Sequence, residues 1–345
     1  MSYTRRELLK MAALAALSRG LTGSFLNRAY GDESAKSPMT MNIEEAQANR
    51  FNGTVAIFYN PITQVDSREW DSIKEFNGPY HPLIGDYKCD DPAVLRKQLH
   101  WIRRAGVDVI VYDIYGFKTW NILDIPKDKT LPLLINELAN QDNESRKLKL
   151  VIWLEKWFVH PTLEEYQFGM KCVRENLASR DFYHHFKGAP LVLAYNPGKE
   201  YDQIVKENPS IRLERVNPFK TDDWSYVENY PQTLNREWMP VNPGFDGYLE
   251  EAYTKKYVKN VKDMDVDAVR RHGPKAAALR EDGRFFERQL LRAREGSPEF
   301  IFISGWNDWQ CCLQIEPAVE YEFKYVDLAA RLLGRSSETL PYRQP

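Results

Sequence analysis

The stretch that decides the fold is "DDPAVLRKQLHWIRRAGVDVIVYD", residues 90–113. Its first half places Leu95, Leu99 and Ile102 on one helical face, with Asp91 at the N-cap position, Pro92 in the first turn and Gly106 at the end. Its second half, 107–113, is a continuous apolar run rich in β-branched residues, as a strand buried on both faces requires. A capped helix that feeds such a strand is half of a βαβ unit, whose strands run parallel and whose crossover is right-handed.

The same alternation continues outward in both directions. "TVAIFY" (54–59) reads as a strand before the helix. After it come a helix near 130–140, the strand "LKLVIWLE" (148–155), a helix near 162–177 and the strand "PLVLAY" (190–195). Weaker strand signals lie in "IRLERV" (211–216) and "EWMPVN" (237–242). A helix near 284–295, the strand "EFIFIS" (299–304) and a closing helix over 317–334 complete the pattern. No repeat, low-complexity tract or linker interrupts residues 51–335, so one domain is expected. The expected fold class is α/β, a single (β/α)8 TIM barrel, a fold of typically about 250 residues before insertions. An open doubly wound sheet is the alternative. It lacks support here, because the second strand is followed by Ile-Tyr-Gly and not by a G-x-G-x-x-G phosphate cradle.

Composition narrows the function. The chain is 43% hydrophobic and 28% charged with a net charge of −2, so it lacks the basic footprint of a nucleic-acid binder. Nine Trp and nineteen Tyr supply flat faces with polar edges that suit sugar rings, although an aromatic core would give the same count. Four cysteines (Cys89, Cys172, Cys311, Cys312) show no metal-binding spacing. Cys311 and Cys312 are read as two small buried thiols, with a vicinal bridge as the alternative. No two His stand at ligand spacing, and the adjacent His184 and His185 would point apart, so neither metal nor cofactor is expected.

The first segment reads as an address. Arg5 and Arg6 precede Leu8, Leu9, Lys10 and a short Ala/Leu run, which is the order of a twin-arginine export signal. The run is far shorter than the ~20 residues needed to span a bilayer. Ala29-Tyr30-Gly31 offers a cleavage site, giving a signal over 1–31 and a polar, disordered lead-in over 32–50. Residues 336–345 form a C-terminal tail. A periplasmic or secreted protein without stable membrane insertion is therefore expected.

In a barrel the chemistry collects at the carboxyl ends of the strands. Those ends supply Tyr59 and Asn60, then Asp113 and Tyr115, Glu155 and Trp157, Tyr195, and finally Trp306, Asn307, Asp308 and Trp309. The loop 81–92 adds His81, and Glu316 follows the last strand, where it could also cap the last helix. Acidic, amide and aromatic groups delivered by several strands to one rim match a sugar site. Carboxylates bind hydroxyls or exchange protons, amides add neutral hydrogen bonds, and Trp forms platforms.

The order "HPLIGDYKCDDPAVLRKQLHWIRRAGVDVIVYDIYG", "LVIWLEKW" and "GWNDWQCCLQIEPAVEYEFKYVDLAARL" resembles the glycoside hydrolase family 99-like proteins, which include endo-α-mannosidases. "WNDW" is also similar to the family 71 α-1,3-glucanases. The resemblance runs from about 54 to 333 and implies a (β/α)8 barrel with an α-linked oligosaccharide or polysaccharide substrate. In family 99 the last loop reads Asn-Glu-Trp-x-Glu. The first Glu is the base on the substrate's 2-hydroxyl, and the second is the acid on the leaving oxygen. Those positions fall on Asp308 and Cys311. Glu155 stands where family members place a sugar-contacting Glu. The base position thus keeps a carboxylate, and the acid position does not. A thiol is a weak hydrogen-bond donor, shorter than Glu, so Glu155, Asp113 and Glu316 are the candidate replacements. The expected function is an exported hydrolase of an α-linked glycan, with Asp308 as base and Asp113 or Glu155 as acid or sugar anchor. The alternative is a non-catalytic carbohydrate-binding protein on the same scaffold.

Overall fold

The computed structural model describes residues 41–61, 79–115, 129–142, 144, 146–155, 162–195, 197–217, 224–225, 237–245, 280–309 and 311–335. The twin-arginine segment, Trp157 and the tail 336–345 lie outside the described residues.

Among the described residues, eight parallel strands form a curled sheet. They are β1 (Thr54–Tyr59), β2 (Val109–Tyr115), β3 (Lys149–Glu155), β5 (Ala189–Tyr195), β6 (Arg212–Asn217), β7 (Trp224–Ser225), β8 (Trp238–Val241) and β9 (Phe300–Ile303). Their spatial order is β7-β6-β5-β3-β2-β1-β9-β8, and the two end strands β7 and β8 come together, so the sheet curls into a barrel-like ring. A two-residue strand, β4 (His185–Phe186), pairs antiparallel with β5 as a small hairpin.

The first helices are α1 (Ile43–Ala48), α2 (Pro92–Arg104), α3 (Thr130–Ala139) and α4 (Leu163–Cys172), the last extended by a π-turn over Val173–Leu177. They are followed by α5 (Tyr201–Glu207), α6 (Arg284–Gly296) and α7 (Lys324–Leu332). α2 forms as its caps require. The Asp91 carboxylate accepts the N–H groups of Ala93 at 2.8 Å and Val94 at 3.4 Å, and Gly106 takes the positive φ of 85° that ends the turn. α4 begins with a reciprocal capping box between Thr162 and Glu165.

Strand alternation divides the core in two. Val55, Ile57 and Tyr59, Ile110 and Tyr112, and Leu150, Ile152 and Leu154 face the helices in one buried layer. Ala56 and Phe58, Val109 and Val111, Val151 and Trp153, Leu191 and Leu193, Trp238, and Phe300 and Phe302 fill the inside of the curl. The interior is aromatic. Trp153 meets Phe58 edge-on at 5.1 Å and stacks on Phe302 at 6.0 Å, and Trp238 stacks on Phe302 at 4.5 Å.

Three sequence expectations need correction. β2 runs on to Tyr115, so Asp113 stands inside the strand and not in the loop after it. The closing helix occupies only Lys324–Leu332. Residues just before it are held in a turn because Ala318 bridges to Pro82 and to Glu322, and the Val319 N–H bonds the His81 carbonyl at 2.9 Å. Part of the lead-in expected to be disordered is the helix α1, capped by Asn42. Its Ala46 is fully buried, and Arg294 donates to the Asn49 carbonyl at 2.6 Å. A polar composition hid this helix because Ala46, the partly buried Met41 and Ile43, and the Arg294 side chain suffice to dock it.

Candidate active site

The last loop is a doubled-back excursion from β9. The Ile315 N–H bonds the Gly305 carbonyl at 3.1 Å and the Glu316 N–H bonds that of Trp306 at 2.9 Å, so residues 307–309 and 311–314 project from a short neck. Gly305 permits the fold-back, since a Cβ there would lie 2.6 Å from the Leu313 carbonyl oxygen. The neck is fastened to β1. The Trp306 N–H bonds the Phe58 carbonyl at 2.7 Å. The Asn307 side chain accepts the Asn60 N–H at 2.8 Å and donates to the Asn60 carbonyl at 2.7 Å.

Within the excursion the Asp308 carbonyl accepts the Leu313 N–H at 3.0 Å, and its Oδ1 accepts the Cys311 N–H at 3.4 Å. Arg280 holds the far side, donating to the carbonyls of Cys312 at 3.2 Å and Gln314 at 2.8 Å. The Arg280 guanidinium is itself enclosed by the rings of Tyr80, Tyr321 and Tyr325 at 4.8, 4.8 and 4.0 Å. Leu313 enters the barrel's interior layer and Cys311 packs against it, so the loop sits over the mouth of the curl.

The strand ends meet it there. By alternation Asp113, Glu155 and Tyr195 point to the interior side, following Val111, Trp153 and Leu193. Asp113 pairs in register with Trp153, so it lies one layer below Glu155 and is fully buried. Glu155 is half-buried, and its Oε2 accepts the Trp153 indole N–H at 2.9 Å. Tyr195 stacks on the same indole at 5.3 Å. Trp153 therefore carries one carboxylate and one phenol on its upper side.

The remaining expected rim residues behave differently. Tyr59 faces the helix layer, where its hydroxyl donates to Gln98 Oε1 at 2.7 Å, because it alternates with Phe58. Asn60 and Asn307 are buried and bonded to each other as a clamp. His81 is exposed and its Nδ1 lies 2.6 Å from Glu320. Trp306 and Trp309 are buried in the layer between strands and helices, so neither presents a platform in this conformation. Tyr115, expected in the loop after the strand, is instead the last residue of β2, and its side chain lies outside the described residues.

Glu316 was expected at the rim and is instead fully enclosed. Its Oε1 accepts from Gln98 Nε2 at 2.7 Å, and its Oε2 accepts from the Tyr87 hydroxyl at 2.6 Å and Trp309 Nε1 at 3.1 Å. Burial pushes its carboxyl up to about 7, with the three hydrogen bonds opposing the rise. It does not cap α7, which starts at Lys324.

Tyr87, Gln98 and Arg280 escaped the sequence reading. Gln98 left a trace, a polar residue on the buried face of α2, whereas Arg280 left none. The four cysteines are thiols, so Cys311 and Cys312 are not bridged. No helix among the described residues is long and apolar enough to cross a membrane.

No family model matches the sequence. The chain is 21% identical over 292 residues to the glycoprotein endo-α-1,2-mannosidase of Xenopus laevis, covering 72% of this chain and 61% of that one. It is 19% identical over 286 residues to that of Rattus norvegicus, covering 71% and 58%. It thus spans about three fifths of the length of these curated relatives. Its fold is similar to that of the GH99 endo-α-mannosidase from Bacteroides thetaiotaomicron in complex with bis-tris propane. That match has a TM-score of 0.58 and 17% identity, and covers 82% of this chain and 98% of the other. A glycoside hydrolase-like protein matches with a TM-score of 0.53 and 12% identity over 88% and 98% of the two chains. In sequence the chain is distantly similar to two endo-α-1,2-mannosidases, and in fold it is similar to the GH99 endo-α-mannosidase.

Proposed function

We propose that this chain hydrolyses an α-linked mannoside bond in a glycan, on a (β/α)8 barrel exported by the twin-arginine route. The observation that carries the reading is the meeting at one mouth of two elements far apart in sequence. Cys311, whose N–H reaches Asp308 Oδ1 at 3.4 Å, packs against the interior layer that contains Trp153, and Trp153 holds Glu155 at 2.9 Å. Asp308 takes the role of base on the hydroxyl beside the reacting carbon. Glu155, the more exposed of the two carboxylates on β2 and β3, donates a proton to the leaving oxygen or anchors the sugar. Asp113, a layer below, supports Trp153 from the neighbouring strand and does not meet substrate.

Reducing-end release from an α-mannan by the exported protein tests this. Asp308→Asn should lower kcat by about 10²–10⁴-fold, the usual contribution of a placed acid or base, while oligosaccharide affinity changes little. Equal loss of kcat and affinity, or none of either, would remove Asp308 from the chemistry.

The thiol at Cys311 favours a second reading, a glycan-binding protein without turnover. Cys311→Glu separates the two. A rise in reducing-end release of about 10²-fold or more marks a disarmed relative. Native turnover that survives Cys311→Ser places the acid elsewhere.

A further inference from the structure

The Glu316 carboxylate lies outside the groups assigned to the reaction, yet it joins three elements. Tyr87 comes from the loop after β1, Gln98 from α2 and Trp309 from the last loop, and all three donors are neutral. The titratable and charged groups around the hub are Cys89 and Tyr59, which flank Tyr87, together with Tyr321 and Arg280. The Tyr321 hydroxyl bonds the Glu316 carbonyl at 2.8 Å, and Arg280 stacks on the Tyr321 ring. Among the described residues no cation forms an ion pair with Glu316.

We propose that Glu316 is a positioning residue for Asp308: its ionised carboxylate fixes Trp309, the next residue in the chain, and gain of one proton resets the loop that carries the proposed base. This rests on the hydrolase reading for its catalytic consequence, but not for its structural part.

The donor arithmetic supplies the mechanism. The ionised carboxylate accepts from all three partners. A proton on Oε2 can be given only to Tyr87, whose hydroxyl must reverse from donor to acceptor, because the indole N–H of Trp309 cannot turn into an acceptor. A proton on Oε1 confronts the Gln98 amide. That amide cannot flip freely, because its own Oε1 already accepts from Tyr59 at 2.7 Å. Either placement therefore leaves the Trp309 indole bonded to a neutral oxygen in place of an anionic one, which weakens the hold on the loop. Burial brings the carboxyl up to about 7, so the change falls in the neutral range.

The test follows the full chain by NMR with 15N-labelled tryptophan and backbone, the Trp309 indole being assigned with Trp309→Phe. Between about pH 5.5 and 8.5 the Trp309 indole and the Cys311 amide should titrate together with one midpoint near 7. Neither should titrate in Glu316→Gln. Tyr87→Phe removes one donor to the anion and should raise the shared midpoint by about one unit. It keeps the proposal open to refutation if Glu316→Gln does not fold. In turnover, kcat should fall as pH drops through the same midpoint. Glu316→Gln should lose about 10- to 10²-fold in kcat, with KM within about twofold, as expected for a misplaced catalytic group. A Trp309 indole that titrates while the Cys311 amide and kcat do not follow would leave Glu316 merely structural and overturn the proposal. If the native chain shows no turnover, the hydrolase reading fails by itself, and the two resonances still decide whether the proton moves the loop.

Discussion

Asp308 and Glu316 stand on one loop and both are buried, the first bonded to the Cys311 N–H within the loop and the second to Tyr87, Gln98 and Trp309. A stretch of sequence with both carboxylates offers no way to tell them apart, because the neck between residues 305 and 316 is made by backbone bonds between non-neighbours. The enclosed carboxyl has a measurable consequence for stability. Its folded value of about 7 exceeds the ordinary 4.5, so between those values the native chain keeps a proton that the unfolded chain has released. Stability contributed by this group therefore falls as pH rises through that window and levels off above about 7. The whole window corresponds to roughly 3 kcal/mol. Urea unfolding of wild type and Glu316→Gln between about pH 4.5 and 8 reads it as a difference. The wild-type advantage should shrink with rising pH by that order, whereas a constant difference would mean that the group ionises alike in both states.

Elements with local causes were legible in the sequence. α2 was readable because Asp91, Pro92 and Gly106 act through their immediate neighbours, and β3 because an unbroken apolar run has one economical place to go. The misread ones depend on partners distant in the chain. The turn before α7 is set by Pro82 and His81, and α1 is docked by Arg294. The facing of Tyr59 was knowable from alternation alone, since Phe58 and Tyr59 cannot share a side of β1. The last loop combines both kinds of cause, for it needs a residue without a side chain exactly where its own return strand crosses. Gly305→Ala would put a Cβ within 2.6 Å of a backbone oxygen that has no rotamer to escape into. The expected cost is about 1–3 kcal/mol, typical of overpacking. Thermal unfolding together with glycan affinity would show it, and both should decline because the neck holds the mouth. Unchanged stability and affinity would mean that the loop can shift at no cost, which would weaken the case for a preorganised site.

At the scale of the molecule, the ring is not uniform. β2 and β3 share seven register pairs, whereas β6 and β7 share two, and β7 and β8 close the ring without a ladder among the described residues. The proposed site stands on the well-paired half. Asp113 stands inside β2 near its carboxyl end and Glu155 ends β3, and the Asp308 loop leaves β9 and is fastened to β1. Chemistry that requires fixed carboxylates is best carried by the elements that open least, and unbroken apolar runs made this half the easier one to read. Amide hydrogen exchange tests the asymmetry. Ile110, Val111, Ile152 and Trp153 should exchange only through global unfolding, while Ser225 and Trp238 exchange sooner through local opening at the closing seam. Bound oligosaccharide should slow the amides of the 305–316 neck and leave the seam amides unchanged. Equal protection around the ring would require a closing ladder. Slowing at the seam with none at the neck would move the binding site away from Asp308.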